Sequence, residues 1–514
     1  MPNPVIEEAL ERFRFAQEAE QEWRRQCLDD LRFAAGEIDG ESTQWSPSDL
    51  SQRKQQLRPA LTINRCEQFT NQVTNEARLN NPSIRISPVD DGADIETAEI
   101  LQGIVRHIEV ASFADICRAT ARENMVTCGV GYTQFVTQFA DDRSFDLEVR
   151  FGPPILNPFS VYMDPSAIES DRSDAQFAFR THQITEEQHK KLYPKAELSN
   201  MVDYAGVGDI ARAWLGKDGV RIADYYSVEA KTRRLVAALI GEGQVIVAFA
   251  DELDTMLGKG RYEIQRERDV EIPEVWHRKI NGLEVLEETI WPGRFIPIVP
   301  YIGRESLIEG HHSIKGLVRT AKPAQKMYNF WVTALSEMIA ASPKAPYLVP
   351  VRGLSGLEGH WEAANAMNRP YLPYNDIDDN GQAVAAPTRQ PFEPPIQAIT
   401  QAILQADRDM KATFGIYEAG LGQRGPQESG KAIQARKQES DVATYHLIDN
   451  ESRARRLEGK QLLDLIQRNY DTERVMRIIG MDETPSTIRI NSQEPVKYKN
   501  VERIFDIRVG KYDV

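Results

Sequence analysis

Between Pro395 and Asp471 the sequence writes an amphipathic helix, a glycine-rich loop and one very long polar helix, an order that few folds can accommodate. Ile396, Ile399, Ile403, Ala406, Met410 and Phe414 recur every three or four positions, which places them on one helical face. That helix is expected to end at Gly415. Beyond the loop Tyr417 to Pro426, the stretch Lys431 to Tyr470 holds no proline and only Gly459. As a continuous helix it would span roughly 60 Å at a rise of about 1.5 Å per residue. The mean globular helix has only about 11 or 12 residues, so an element of this length points to a mechanical or oligomeric role.

A chain of 514 residues has room for about three domains and real cores. With 41% hydrophobic residues it does not read as disordered. The net charge of -15 argues against a surface that grips nucleic acid throughout, since that requires clustered Lys and Arg against phosphates. It leaves DNA possible as a passing substrate, because a conduit lined by dense cations would hold what it must let slide. Cys27, Cys66, Cys117 and Cys128 form no C-x-x-C pair and read as buried reduced thiols. No secretory leader opens the chain and no apolar run reaches the ~18 residues a membrane span needs. This is the pattern of a protein kept in a reducing cytoplasm without an anchor.

The first third reads as helical: Val5 to Ala35, Pro59 to Leu79 and about Asp94 to Val110, with a polar connector from Asp39 to Arg58 and a short strand around Ile84 and Ile86. The period then changes to two. Phe145, Leu147, Val149 and Phe151 alternate with polar residues and pair with the run Tyr132 to Phe139. Further hairpins are signalled from Leu235 to Phe249 and from Val275 to Ile290 around Asn281-Gly282. A small helix capped by Thr185 with Gln188 stops at Pro194. After Pro300 comes a helix from about Ile314 to Ala341. A Pro, Gly, Asn and Asp-rich insertion from Tyr347 to Pro395 then separates it from the helix ending at Phe414.

Motifs for catalysis are weak. Gly420, Gly422 and Gly425 spell G-x-G-x-x-G but follow a helix where a dinucleotide fingerprint needs a strand, so an inter-helix loop is the better reading. His311-His312 has no ligand-spaced partner and reads as a solvated loop before a helix. Asp376, Asp378 and Asp379 lack the closing Glu and spacing of a calcium loop. No Walker-type phosphate loop and no G-x-S-x-G elbow occur, and neither a metal nor a cofactor is expected. Charge is more informative. Lys315, Arg319, Lys322 and Lys326 stand against a single acid, Glu337, on one expected helix, and the loop and the helix after it add Arg424, Lys431, Arg436 and Lys437. Such a concentration in an acidic chain suits either a solvated face or transient phosphate contact.

Several separated stretches together resemble the portal proteins of tailed bacteriophages, in their short-tailed (podovirus) type. They are Arg58-Pro59 to Asn64 with Asn81-Pro82-Ser83-Ile84, Asn157 to Ala167, Gly316 to Asn329 with Ala341 to Pro346, and Gly415-Ile416-Tyr417-Glu418-Ala419 with Glu428 to Ile433 and Leu462 to Ile466. They come in the family's order across nearly the whole chain. The resemblance implies an α+β portal fold, a ring subunit with a mixed α/β wing, two stem helices, a clip insertion and a long wing helix. The boundaries would be a wing over 1–310, a first stem helix over 311–344, a clip over 345–394 and a second stem helix over 395–414. A tunnel loop over 415–430, the long wing helix over 431–480 and a return to the wing over 481–514 complete them. Where such proteins continue into a crown and often a helical barrel, this sequence stops in what reads as a strand.

The same resemblance implies a non-enzymatic protein, twelve copies of which form a ring at the unique capsid vertex. Its partners would be itself, double-stranded DNA in transient sequence-independent contact, terminase, a tail adaptor, and capsid and scaffolding proteins, with no membrane. Its place would be the virion, after assembly in the host cytoplasm. Channel residues would be sought at Arg408, Lys411, Gln423, Arg424 and Lys431, and clip contacts at His360, Trp361, Asp376, Asp378 and Asp379. The alternatives are another head-to-tail connector or capsid structural protein without a packaging role, and, less well supported, a nucleotide-dependent enzyme.

Overall fold

The computed structural model describes residues 3–79, 83–89, 93–196, 219–240, 244–257, 263–341, 347–364, 367, 369–377, 380–389, 395–415, 430–480, 484–492, 494–498, 501–508 and 510–514. The helices among them are α1 (Pro4–Ala35), α2 (Pro47–Gln55), α3 (Arg65–Leu79), α4 (Ile95–Ala111), α5 (Ala114–Thr127), α6 (Glu186–Leu192), α7 (Ala250–Leu257), α8 (Val318–Ala341), α9 (Val351–Leu354), α10 (Glu358–Glu362), α11 (Ile396–Phe414) and α12 (Gly430–Asn469). With the strands they make an α+β protein, as expected. The chain divides into two compact units, one of residues 1–31, 72–316 and 444–514, the other of 32–71 and 317–443.

The first unit is built on a six-stranded antiparallel sheet. Its path runs Val285–Trp291, Glu263–Ile280, Gly219–Ile240, Phe177–Thr185 and Val161–Met163, with Gln244–Phe249 also paired to Gly219–Ile240. Both hairpins foreseen here are present, and Asn281 shapes its turn by accepting the Leu283 and Glu284 amides on one side-chain oxygen. One face of the sheet is covered by α1, which buries Ile6, Ala9, Phe13 and Ala16 against Tyr162, Phe177, Phe179 and Tyr225. Phe13 meets Tyr162 at 4.6 Å and Phe179 stacks on Tyr225 at 4.6 Å between ring centres. A second antiparallel sheet pairs Ile298–Ile302 with Val130–Phe139, and that strand with Leu147–Phe151, as its alternation required. The capping box on α6 and the Asp94 cap on α4 also form, each satisfying backbone donors that a helix start leaves open.

α5 was not foreseen. It packs against the second sheet so closely that a Cβ on Gly131 would lie 2.0 Å from the Ala121 carbonyl oxygen. α12 docks here with paired charges set among its buried Leu447, Ala454, Leu457, Leu462, Leu465 and Ile466. Glu458, fully buried, accepts from Arg118 Nε at 2.8 Å, Thr133 Oγ1 at 2.6 Å and Tyr301 Oη at 2.9 Å. Seven residues earlier Glu451 takes Arg122 in a two-pronged contact, at 2.7 Å from Nε to Oε2, and also Arg455. Burying ions is costly unless every lone pair is used, and these carboxylates are saturated with donors.

Three further expectations are corrected. The segment 39–58 is not a bare connector, since Glu37–Ile38 pairs with Glu41–Ser42 and α2 follows, with Ser46 capping the Asp49 amide and Pro47 at its first position. The strand sought at Ile84 and Ile86 lies at Ser87–Pro88 and pairs with Tyr512–Asp513; the two isoleucines precede it as buried side chains. His311 and His312 are not in a loop, because His311–Lys315 forms a hairpin with Arg304–Ile308 and His312 bonds Glu305. That pairing delays the following helix, which starts at Val318, so Lys315 belongs to a strand and not to the helix.

Candidate functional site

The second unit holds the two helices flanking the insertion. α11 keeps the periodicity read from its sequence, burying Ile399, Ala406, Met410 and Phe414 along α8, and Gly415 closes it in the left-handed conformation that glycine adopts without penalty. The strands Tyr347–Leu348 and Thr388–Arg389 pair antiparallel and bring the C-terminal end of α8 to the N-terminal end of α11. The two helices therefore run in opposite directions. At their other end Phe414 meets Phe69 of α3 at 5.4 Å, and Cys66 lies against Gln325.

α8 has three different faces. One packs on α11. The second is polar and fully buried, carrying Gln325, Asn329 and Thr333 at intervals of four residues. These hold an extended segment that leads into α3: the amides of Arg65, Ile63 and Leu61 donate to Gln325 Oε1 at 3.0 Å, Asn329 Oδ1 at 3.1 Å and Thr333 Oγ1 at 3.1 Å. Four helical residues rise about 6.0 Å and two extended residues about 6.6 Å, so alternate amides meet successive helical turns. Gln325 returns a bond to the Ile63 carbonyl at 2.8 Å, and Asn329 donates to Gln44 at 2.7 Å. The next position in the series, Glu337, would face residue 59, which is proline and has no amide to give. Arg53 fills that place by donating both to the Pro59 carbonyl and to Glu337, which Arg58 also grips at 2.6 Å. The helix expected from Pro59 starts only at Arg65 because residues 61–65 spend their amides on α8. The third face of α8 is apolar and open, with Met327 52% and Phe330 45% exposed.

The sequence-derived candidates are spread over this unit. Arg408 is exposed on α11. Lys411 is tied to Asp407 at 2.9 Å, one turn earlier, and both are largely buried. Gln423, Arg424 and the G-x-G-x-x-G glycines lie outside the described residues, as do the side chains of Lys431, Arg436 and Lys437 in the first turns of α12. Lys322 and Lys326 point toward the Phe33 ring at 5.6 Å and 5.9 Å. In the insertion, His360 and Asp376 are exposed, and His360 bonds Arg369. Trp361 is turned inward, donating to the Pro373 carbonyl at 2.7 Å and meeting Tyr347 edge-on. Asp378 and Asp379 are outside the described residues.

The extended strap at 61–65 and the buried ladder that holds it are what sequence reasoning missed. A signal existed in the i, i+4, i+8 series of Gln325, Asn329 and Thr333 on a helix otherwise rich in apolar residues. All four cysteines are buried and free of disulfides, and burial pushes the Cys66 thiol up to about 12. Among the described residues no group of three or more His, Cys, Asp or Glu is placed to hold a metal ion, and no helix is long and apolar enough to cross a membrane. What the described residues of the second unit offer is paired rods and an insertion between them.

Compared with known sequences, residues 10–514 match the model of the family described as Phage P22-like portal protein. A portal protein of Acyrthosiphon pisum secondary endosymbiont phage 1 is 26% identical over 531 residues, covering 99% of this chain and 72% of that protein.

Proposed function

Because the chain belongs to the Phage P22-like portal protein family, we propose that twelve copies close into a ring at the unique capsid vertex and that DNA is packaged and ejected through its axis. The family is one of structural proteins, and portals are ring oligomers of the virion that work with capsid, terminase and tail components. On this reading the wing is 1–310, the stems are α8 and α11, the clip is 345–394 between them, and 415–430 is the loop that meets DNA. Terminase and tail factors dock on the clip, and translocation is powered by the terminase rather than by this chain.

The observation that carries the reading is the antiparallel pair α8 and α11, joined at one end by the paired strands of the insertion. Such a pair is a stiff stave, and identical staves repeated by rotation enclose a bore. The chemistry fits a passage rather than a grip. On the exposed face of α11 only Arg408 among the described residues offers a cation beside Gln397, Gln401 and Gln405, so phosphates would be touched without being held. Electron microscopy of the purified protein tests this directly. A ring with a continuous axial hole is expected, and a solid particle or a single chain at high concentration would refute it.

A further inference from the structure

The open face of α8 calls for an occupant. Pro323, Met327, Phe330, Ala334 and Met338 follow one another at steps of three or four and form one stripe, distinct from the strap face and from the α11 face. Trp331 stands beside it, its ring meeting Phe330 edge-on at 5.1 Å. Continuous apolar stripes of this kind on a soluble surface mark contact sites. At its edge lies Lys326, exposed and with no acidic partner among the described residues.

We propose that this stripe receives α11 of a second copy of the same chain, with Lys326 of one copy paired to Asp409 of the next. The proposal rests on the ring reading and names its interface. Two observations select the occupant. The first is charge: Asp409 is exposed on α11 with its side chain bonded to the neutral Gln405 at 2.8 Å, and among the described residues it has no cation, as Lys326 has no acid. The second is height. Rotation about an axis preserves position along that axis, so in a ring whose staves lie along the axis, surfaces that meet between copies lie at equal levels on them.

Levels can be read because the helices are antiparallel and share an end. Phe414 and Gln325 are both anchored by α3, through Phe69 and Cys66. Counting back from Phe414, Asp409 falls within about one helical turn of Lys326, and Ala402, seven residues before Asp409 on the same side of α11, falls within about one turn of Ala334 and Met338. An apolar ridge therefore meets a flank of small residues, Ala398 and Ala402, and one charge meets its opposite at its own level.

The experiment is a charge swap read by mass photometry and native mass measurement across a concentration series, with circular dichroism confirming that each variant keeps its helicity. Lys326→Glu and Asp409→Lys are each expected to raise the concentration needed for ring closure by about tenfold or more, as like charges oppose each other at every interface. Combining Lys326→Glu with Asp409→Lys should bring it back to within about threefold of the parent, and Phe330→Gln should weaken closure without being rescued. Single variants that close as readily as the parent, or a double variant that recovers nothing, would overturn this interface while leaving the ring intact. A parent chain that stays single at every concentration would instead overturn the ring reading itself, and this interface with it.

Discussion

Replacing Asn329 with leucine tests the strap on α8 most sharply, because the two side chains are close in size and differ in what they can bond. Asn329 accepts the Ile63 amide at 3.1 Å and the Gln325 amide at 3.0 Å, and donates to Gln44 Oε1 at 2.7 Å. In Asn329→Leu, Gln325 keeps its bond to the Ile63 carbonyl, so it is not stranded. The Ile63 amide and the Gln44 carbonyl oxygen are. Each orphaned buried polar group costs about 1–3 kcal/mol, giving about 2–6 kcal/mol in all. Burial of the leucine side chain returns about 1–2 kcal/mol, so a net loss of about 0–5 kcal/mol is expected, with a midpoint of about 2–3 kcal/mol. With two compact units a single global stability is ill-defined, so the measurement should be local. Hydrogen exchange read by mass spectrometry should show faster exchange across 61–65 and unchanged protection in the wing strands around Val130–Phe139. Unchanged exchange at 61–65 would mean that the strap is held by something other than this ladder, and the reasoning would fail.

Glu458→Ala leaves the Thr133 and Tyr301 hydroxyls without their acceptor and Arg118 with Glu109 alone, and hydrogen exchange across α5 and Val130–Phe139 should report a local loss of about 2–5 kcal/mol, with Glu458→Gln falling between it and the parent. Gly131→Ala places a methyl 2.0 Å from the Ala121 carbonyl oxygen, so α5 must move and a destabilisation of about 3 kcal/mol or more is expected in the same assay. Partial burial opposes ionisation of Glu337, but the Arg58 hydrogen bond and the Arg53 charge outweigh it and hold the carboxyl below its ordinary value. Its contribution is therefore present above the unfolded carboxylate pKa and lost as pH falls through the lower folded value, and Arg58→Ala should flatten that acid limb of a melting-temperature profile. Cys66 should resist a thiol reagent at pH 8 in the native protein and react on unfolding, since it is both buried and poorly ionised.

What the sequence made legible follows from where each element finds its partners. α11, α12 and the hairpins at Asn281-Gly282 and 130–151 carry their own signal, as apolar period or turn chemistry, and appear close to the expected bounds. The segment 59–64 does not. Its extended conformation is imposed by side chains about 260 positions away, which no local window contains. α2 carried a readable start, Ser46-Pro47 with Asp49, but too little apolar content to draw notice. α5 was missed although Cys117, Ala121 and Met125 recur every four residues, because Arg118 and Arg122 interrupt the stripe and are themselves buried. His311 and His312 were misread since a hairpin with Glu309-Gly310 at its bend looks locally like a loop; both residues have positive φ there. At the candidate site the helix pair was legible. The inward turn of Trp361 was not, as it depends on packing within the unit, whereas the Asp407 bond to Lys411 is an i, i+4 pair that helical spacing contains.

The strap has a built-in stopping point. Each step along the helix falls short of the matching step along the extended chain by about 0.6 Å, so a ladder in step at Gln325 is displaced by about 1.2 Å at Thr333 and about 1.8 Å at Glu337. Short side chains can absorb the first offset and not the last. Pro59 removes the amide where the mismatch becomes too large, and the long arm of Arg53 spans the accumulated gap. The two elements act as a vernier: they coincide over three rungs only, which fixes the axial position of the extended chain on α8 to a single setting, so a slip by one rung in either direction would lose more than one bond.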